Sequence, residues 1–333
     1  MNIQKTAIAA VLAGLLFGCG GSDSNDEPQM ATFSLGVSDN PADAKSVTIA
    51  FKQVVLKNES GSYSFNVASN GELKFVDLLE YQGSAVNTLV SGQSIPVGEY
   101  QMCIYMKNNT AATIDSSHVT TYDDGLFGLV TNSNGSCGGV GAEESDTGRL
   151  FFNKSFTIAA GVNSFVAEFD LSKGLQDPHG NKDYWTLKPT SVQLFNQSDV
   201  GSITGSVSEE VMASCEMAAN GSTFSPAVYL YPANTTLEQM VDFSLEADTE
   251  TAIAPITAAR VNEVTNAEGL VIGHDYEFGF VVAGNYSLGY TCLAQNDDPE
   301  VVNLAIDADA PFFINNAEVD VTVTANSVTE RNF

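Results

Sequence analysis

Residues 97–106 read VGEYQMCIYM, with apolar or aromatic side chains at every second position from Tyr100 to Met106. Successive side chains of a β-strand point to opposite faces of a sheet, so this period of two predicts a strand with one buried face. The same alternation recurs in residues 33–37, 47–51, 63–67 and 165–171. Turn-forming pairs such as Asn70-Gly71 separate the segments, and many short strands between turns predict a sandwich or a barrel.

A second series of about seven short strands follows residue 200, where the charge also changes. Residues 1–200 hold 11 bases and 21 acids, whereas residues 201–333 hold 20 acids and two bases, Arg260 and Arg331. We therefore predict an all-β chain with two tandem antiparallel Greek-key β-sandwich domains. The predicted ranges are a signal peptide at 1–18, a tether at 19–30, a first domain at 31–199 and an acidic second domain at 200–333. Helical periodicity is nearly absent, and only residues 78–81 and 237–243 are candidates for short helices.

The chain is strongly acidic, with 41 acids against 13 bases and a formal net charge of -28. Such a surface repels phosphate groups, which argues against nucleic acids and anionic lipid headgroups as partners. Two interpretations of the acidity remain: divalent-cation binding, or a solvated surface that self-repulsion keeps soluble.

The N-terminus combines an export signal with a cysteine. Lys5 precedes the uncharged residues 6–18 (TAIAAVLAGLLFG), which are too few to cross a bilayer as a helix but typical of a secretory signal. The sequence LFG before Cys19 resembles the bacterial lipobox, which implies cleavage before Cys19 and acylation of that residue; a plain secretory signal is the alternative. Gly20 in place of an aspartate implies the outer membrane. We therefore expect an outer-membrane lipoprotein, facing the periplasm or the cell surface, that contacts the membrane through its anchor.

Four further cysteines remain beyond Cys19. In an oxidising compartment they are expected to pair, and four cysteines allow three connectivities. The pairing that needs no contact between domains is Cys103–Cys137 with Cys215–Cys292, and we favour it.

The order of motifs in the first half resembles a known family. The alternating first strand is followed by residues 38–44 (SDNPADA), then by residues 76–79 (VDLL), the PVGEY corner at 96–100, and residues 184–195 containing LKP. Over residues 31–195 this order is similar to the bacterial lipoprotein domain called domain of unknown function 4382. The resemblance implies a β-sandwich on a lipid anchor and implies no reaction.

The second half is similar to prealbumin-like, carboxypeptidase-regulatory-like modules, which have a carbohydrate-binding-like fold. Residues 276–280 (YEFGF) and the hairpin Gly284-Asn285-Tyr286 carry this resemblance. The Gly-x-Tyr of that hairpin repeats the Gly98-x-Tyr100 of the first half, and each begins a strand that leads to a half-cystine.

Residues for catalysis are sparse. His118, His179 and His274 stand apart in polar stretches and are predicted to be surface residues. No Gly-x-Ser-x-Gly elbow, zinc-binding helix or phosphate loop occurs in the sequence. A hydrolase that uses dispersed carboxylates stays an alternative, because only spacing in three dimensions selects a catalytic pair.

Calcium is the one metal that the sequence suggests, since this cation takes clustered carboxylate oxygens on loops. The candidate ligands are Asp297, Asp298, Glu300, Asp307 and Asp309. A weaker cluster is Asp39 with Asp43, although capping of the turn before Pro41 by Asp39 is a sufficient explanation. Neither cluster follows the order of an EF-hand loop, and solvated loop acids are the alternative in both cases.

Trp185 beside Tyr184 suggests stacking on a sugar, but Leu187 continues the alternation and favours a buried indole. Taken together, the sequence predicts no catalysis and no required cofactor. It predicts an envelope-anchored protein with a binding or structural role, for which a glycan or another envelope protein is the expected partner. The alternative functions are a calcium-dependent adhesin and a hydrolase.

Overall fold

A computed structural model describes residues 28–40, 44–139, 146–221, 223–243, 251–297 and 311–333. The predicted signal peptide, Cys19 and most of the tether lie outside these residues. None of the helices within the described ranges is both long enough and apolar enough to cross a membrane.

The described N-terminal part, up to residue 199, is built mainly of strands, with one short α-helix, α1 (Leu171–Gly174), and two 3-10 helices, Ser69–Gly71 and Leu78–Glu80; the latter lies at one of the two predicted short helices. The strands are β1 (Met30–Asn40), β2 (Ser46–Asn58), β3 (Gly61–Asn66), β4 (Lys74–Asp77), β5 (Asn87–Pro96), β6 (Gly98–Lys107), β7 (His118–Thr120), β8 (Leu126–Thr131), β9 (Thr147–Ile158), β10 (Val162–Asp170), β11 (Leu175–Gln176), β12 (Trp185–Leu187) and β13 (Val192–Asn196). One sheet has the order β13-β10-β1-β5, and the other has the order β11-β12-β8-β7-β2-β6-β9 with β3 and β4 paired to β2.

These two sheets share one hydrophobic core, which makes the N-terminal part a β-sandwich. Phe33 and Leu35 of β1 are fully buried in the same cluster as Ile49 of β2 and Ile104 of β6. The alternation seen in the sequence therefore points inward from both sheets. Trp185 also belongs to this core, in agreement with the packing interpretation rather than the sugar-stacking one.

The C-terminal part, from residue 200, repeats the arrangement with fewer strands. Its strands are β14 (Val200–Ser206), β15 (Ala227–Pro232), β16 (Thr257–Arg260), β17 (Asn262–Thr265), β18 (Val271–Val282), β19 (Gly284–Thr291), β20 (Asn316–Val323) and β21 (Val328–Glu330). Two sheets, with orders β17-β18-β14-β21 and β16-β15-β19-β20, enclose a second core. The helix α2 (Glu209–Ala219) follows β14.

The all-β prediction is confirmed, with two differences in detail. Three strand pairs are parallel rather than antiparallel: β1 with β10, β8 with β12, and β14 with β21. The helix α2 was not predicted. Ser208 caps it by accepting a hydrogen bond from the amide of Val211 at 3.4 Å, and Glu209 and Glu210 in the first turn suit the positive end of the helix.

The repeated Gly-x-Tyr sequence forms the same corner in both sandwiches. The hydroxyl of Tyr100 donates a 2.7 Å hydrogen bond to the carbonyl oxygen of Pro96, and the hydroxyl of Tyr286 donates one of 2.7 Å to Val282. Each bond spans the turn between two consecutive strands that belong to different sheets, β5 and β6 in one case and β18 and β19 in the other. The two tyrosines therefore fix the entry into β6 and β19.

Two disulfides brace the two parts separately. Cys103 and Cys137 are joined with a Cα–Cα distance of 6.3 Å, and Cys215 and Cys292 with one of 6.0 Å. These are the pairs that need no contact between the parts. The second disulfide fastens α2 to the end of β19.

Candidate functional site

The two parts meet at a packed junction on the outer face of β10. Phe165, Ala167 and Phe169 face the N-terminal core, so Val166 points to the opposite face of the sheet. Val166 is nevertheless fully buried, in a cluster with Val200 and Phe280 of the C-terminal part. The C-terminal part therefore covers this side of the N-terminal sandwich.

A glycine makes the closest approach across the junction. A Cβ atom built on Gly279 of β18 would lie 1.9 Å from the carbonyl oxygen of Gly83 and 2.5 Å from the amide nitrogen of Ser84. Backbone therefore packs against backbone here, and a side chain at residue 279 has no space.

Lys173 of α1 reaches from the N-terminal part into the C-terminal part. Its Nζ donates hydrogen bonds to the carbonyl oxygens of Pro255, at 3.2 Å, and Ile256. The same ammonium lies 4.5 Å from the centre of the Phe243 ring and 3.7 Å from Oδ2 of Asp170. One cation thus holds carbonyls, a ring and a carboxylate together, and its position orients the two sandwiches.

Arg260 makes a second polar contact in the opposite direction. Its guanidinium donates a 2.7 Å hydrogen bond to the hydroxyl of Tyr122 in the N-terminal part. Arg260 is one of the two bases after residue 200, and it is placed at the junction. We infer that Arg260 holds the two parts together at the junction rather than neutralising the acidic charge of the C-terminal part.

A cleft of about 120 Å³ opens at the same junction. We call it the junction cleft. Its walls include side chains from both parts, among them Glu168, Gln193, Phe195, Thr257, Phe280 and Tyr286. Apolar walls and a few polar groups converge in this cleft, which is the usual character of a small-ligand site.

Asp39 is a buried acid near the junction. It follows Val37 in the inward alternation of β1, and neither carboxylate oxygen has a hydrogen-bond partner in the described part of the chain. Burial raises the pKa of Asp39 well above its ordinary value, the carboxylates of Glu168 and Asp170 raise it further, and Arg260 opposes them. Asp39 thus lies in a strand, and its side chain makes no capping hydrogen bond to any described residue; the turn at residues 41–43, which it was predicted to cap, lies outside the described residues.

We expect the substitution Asp39→Asn to stabilise the protein at alkaline pH. Because the pKa of Asp39 is higher in the folded than in the unfolded state, folded protein binds more protons once the pH exceeds the unfolded value near 4. Stability then falls as pH rises, by at most about 1.4 kcal/mol per pH unit for one proton, until the folded pKa is passed. Asn cannot ionise, so the variant lacks this decline.

Urea unfolding of both proteins between pH 4 and pH 9 tests the prediction. The free energies of unfolding of the two proteins should agree near pH 4. As the pH rises, that of the variant should increasingly exceed that of the wild type. Parallel curves across the whole range would show that Asp39 ionises equally easily in both states.

Asp297 is the one residue of the main calcium cluster that the structure describes, and both of its carboxylate oxygens accept hydrogen bonds from the protein. Its Oδ2 accepts a 2.8 Å hydrogen bond from the hydroxyl of Tyr229, and its Oδ1 accepts one of 3.0 Å from the amide of Phe243. Burial raises the pKa of Asp297 to about 7, although these hydrogen bonds lower it. Within the described ranges no three acids, cysteines or histidines are grouped to hold a metal ion.

The remaining calcium candidates are outside the described residues. These are Asp298, Glu300, Asp307 and Asp309, together with Asp43 of the weaker cluster. Calcium binding at either cluster stays a prediction.

One of the three histidines departs from the surface prediction. His118 is buried on β7, with Nδ1 2.9 Å from the carbonyl oxygen of Ser116, because the strand turns its side chain inward. His179 is exposed, and His274 is partly buried on β18. The structure does not bring the three together: they lie on β7, on the loop between β11 and β12, and on β18.

The sequence analysis assigns no functional role to three charged residues of this junction, Lys173, Arg260 and Glu168. The low number of bases after residue 200 was the one available signal, and it applies to Arg260 alone. The sequence around Lys173 is typical of an exposed turn, and that around Glu168 is typical of the solvent-facing side of a strand. Their role depends on the second sandwich packing on β10.

Comparisons with known proteins identify part of the chain. Residues 30–189 match the profile of a family described as a domain of unknown function (DUF4382), which confirms that part of the predicted resemblance. The C-terminal part lies outside the match. Among curated proteins, no sequence matches this chain.

Similar solved structures are distant. The TIE protein of Bacillus anthracis is 7% identical with a TM-score of 0.18, over 92% of this chain and 34% of that protein, so this chain spans about a third of its length. A candidate cell adhesion protein of Bacteroides fragilis is 12% identical with a TM-score of 0.21, over 91% and 92% of the two chains. The fimbrial anchor protein Mfa2 of Porphyromonas gingivalis is 9% identical with a TM-score of 0.17, over 89% and 97%. Similarity at this level supports no inference about function, which rests on the chain's own residues.

Proposed function

We propose that this chain is an envelope lipoprotein that binds a partner or serves a structural role, without catalysing a reaction. The observation that carries the proposal is the pair of buried disulfides, one in each sandwich. Disulfides of this kind form and persist in oxidising compartments such as the periplasm and the cell surface. They support export, which the sequence of residues 1–18 independently suggests.

The N-terminal sequence also supports a lipid anchor. Acylation of Cys19 would place a lipid at the start of the mature protein, and each buried methylene contributes about 0.8 kcal/mol to membrane binding. Residues 20–30 (GGSDSNDEPQM) are rich in Gly, Ser and Asp, a composition typical of a flexible tether. The two sandwiches would then be presented at the membrane as one unit.

The junction supports a role in presentation and binding. The cations Lys173 and Arg260 contact carbonyl and hydroxyl oxygens of the opposite part and so fix its orientation. A fixed orientation of two modules suits a protein that displays a surface to a glycan or to another envelope protein. Outer-membrane location, facing either the periplasm or the exterior, is part of this proposal.

We expect the substitution Cys19→Ser to release the protein from the membrane fraction. A serine cannot receive the thioether-linked lipid, so the anchor is lost while the exported sandwiches stay intact. Labelled fatty acid should enter the wild type and a Ser22→Ala control, and should be absent from the variant. Mass spectrometry of the wild type should show residue 19 as the acylated first residue; an intact leader or an unmodified thiol would contradict the proposal.

A screen for partners addresses the binding role. Wild-type protein and the Cys19→Ser chain are applied to glycan arrays and to cross-linking in intact envelopes. A partner captured by both proteins assigns binding to the sandwiches. A partner captured by the wild type alone assigns it to the lipid, and capture by neither favours the structural role.

A further inference from the structure

The junction cleft has the size and the walls of a site for one small apolar group. Its volume is about 120 Å³, and Phe195, Leu230, Ile256 and Phe280 contribute to its lining. Engineered apolar cavities on the order of 150 Å³ take up benzene. A single aromatic ring, or a branched alkyl group of similar volume, therefore matches the cleft, whereas a chain of sugars does not.

The cleft also contains a polar group that the protein leaves unsatisfied. Thr257 lines it, is 8% exposed, and its Oγ1 has no hydrogen-bond partner within the described residues. Buried hydroxyl groups normally have a partner, and one without a partner indicates a missing ligand or water. A ligand with a hydrogen-bonding head next to its apolar body would supply that partner.

The charge of the residues that line the cleft indicates whether the polar head group of the ligand is a cation or an anion. Glu168 lines the cleft and is 6% exposed, while no Lys, Arg or His is among the described lining residues. A carboxylate has about four acceptor positions, so Glu168 can accept a further donor in addition to its contacts within the protein. An anion would meet this carboxylate in a partly desolvated site, which is unfavourable.

We propose that the junction cleft binds a small organic amine with a compact apolar body, an arylalkyl or branched alkyl ammonium ion. The ring or branched chain packs against the apolar lining residues, among them Phe195 and Phe280. The ammonium donates to Glu168, and Thr257 Oγ1 accepts from the same group. Because residues of both sandwiches form the walls, the ligand stabilises the packing of one part on the other.

The test compares three probes of equal size and different charge. Benzylamine, benzyl alcohol and benzoate are titrated at pH 7 by calorimetry into the exported full chain carrying Cys19→Ser, which requires no detergent that could enter the cleft. Charge-assisted hydrogen bonds are stronger than neutral ones, so we expect benzylamine to bind about tenfold more tightly than benzyl alcohol. Benzoate should show no binding. Because the anchor is absent from this chain, the result is independent of whether the proposed lipidation is correct.

Variants assign the binding to the cleft. Glu168→Gln should reduce the affinity for benzylamine about tenfold, to that of benzyl alcohol, without changing the affinity for benzyl alcohol. Glu263→Gln, an exposed acid on β17, is the matched control and should change neither. If Glu168→Gln fails to fold, Val282→Phe replaces it: Val282 lines the cleft and is 47% exposed, so a larger side chain there blocks the site with little strain.

Three results would each overturn the proposal. The first is the absence of binding by all three probes. The second is benzoate binding as tightly as benzylamine. The third is unchanged discrimination between benzylamine and benzyl alcohol in Glu168→Gln, or unchanged binding in Val282→Phe.

Discussion

The double substitution Cys215→Ala/Cys292→Ala is expected to lower the free energy of unfolding of the C-terminal part by about 4 kcal/mol. The two cysteines are 77 residues apart in sequence and buried, so the disulfide removes much of the conformational freedom of the unfolded chain. It also fastens α2, a helix of 11 residues that would be marginal alone, to the end of β19. Urea unfolding followed by tyrosine fluorescence and circular dichroism measures the loss.

The N-terminal disulfide provides the matched comparison. Cys103 and Cys137 are 34 residues apart, and the shorter closed loop predicts an effect smaller by about 0.7 kcal/mol. A loss below about 1 kcal/mol in the Cys215–Cys292 variant would show that the unfolded C-terminal chain is compact without its disulfide.

The substitution Gly279→Val is expected to separate the two sandwiches. The new Cβ would overlap the carbonyl oxygen of Gly83, and a backbone atom cannot move aside as a flexible side chain can. Overpacking of this kind costs about 1–3 kcal/mol even where neighbours relax, and here the easier relaxation is opening of the junction. Small-angle scattering should show a larger radius of gyration, and proteases should cleave the connection at residues 197–199 more rapidly.

Gly273→Val is the control on the same strand. A Cβ atom on Gly273 meets no atom within 4 Å, so this variant carries the same change of residue without a clash. It should keep the scattering profile of the wild type. If Gly279→Val also keeps that profile, the junction is not the rigid contact that we describe.

The strands could be predicted from sequence because their signal is local. The alternation through Tyr100 to Met106 depends only on which face of one strand is buried, and the structure buries that face. Pairing between distant segments has no such signal. The parallel register that places Leu35 beside Phe165 depends on two sheets closing over one core, so the sequence did not reveal it.

The helix α2 and the junction escaped prediction for related reasons. Glu209–Ala219 has few large apolar residues, and Cys215 is its one buried side chain, so a disulfide fixes the helix where a hydrophobic stripe normally would. Glu168 lies on the outer face of β10, where the strand itself gives no reason for burial, and the packing of the second sandwich removes water from it. Asp39 differs, because it continues the inward-facing series of β1 and is buried by its own strand.

The disulfides also bear on how the molecule responds to mechanical tension. A pulled chain extends by at most about 3.4 Å per residue, so a free segment as long as the 77-residue separation of Cys215 and Cys292 would lengthen by roughly 260 Å. The disulfide bond carries the tension directly from one cysteine to the other. The segment between Cys215 and Cys292 therefore does not extend while the bond is intact. Under a pulling force the protein would therefore extend by much less than the full contour length of its chain.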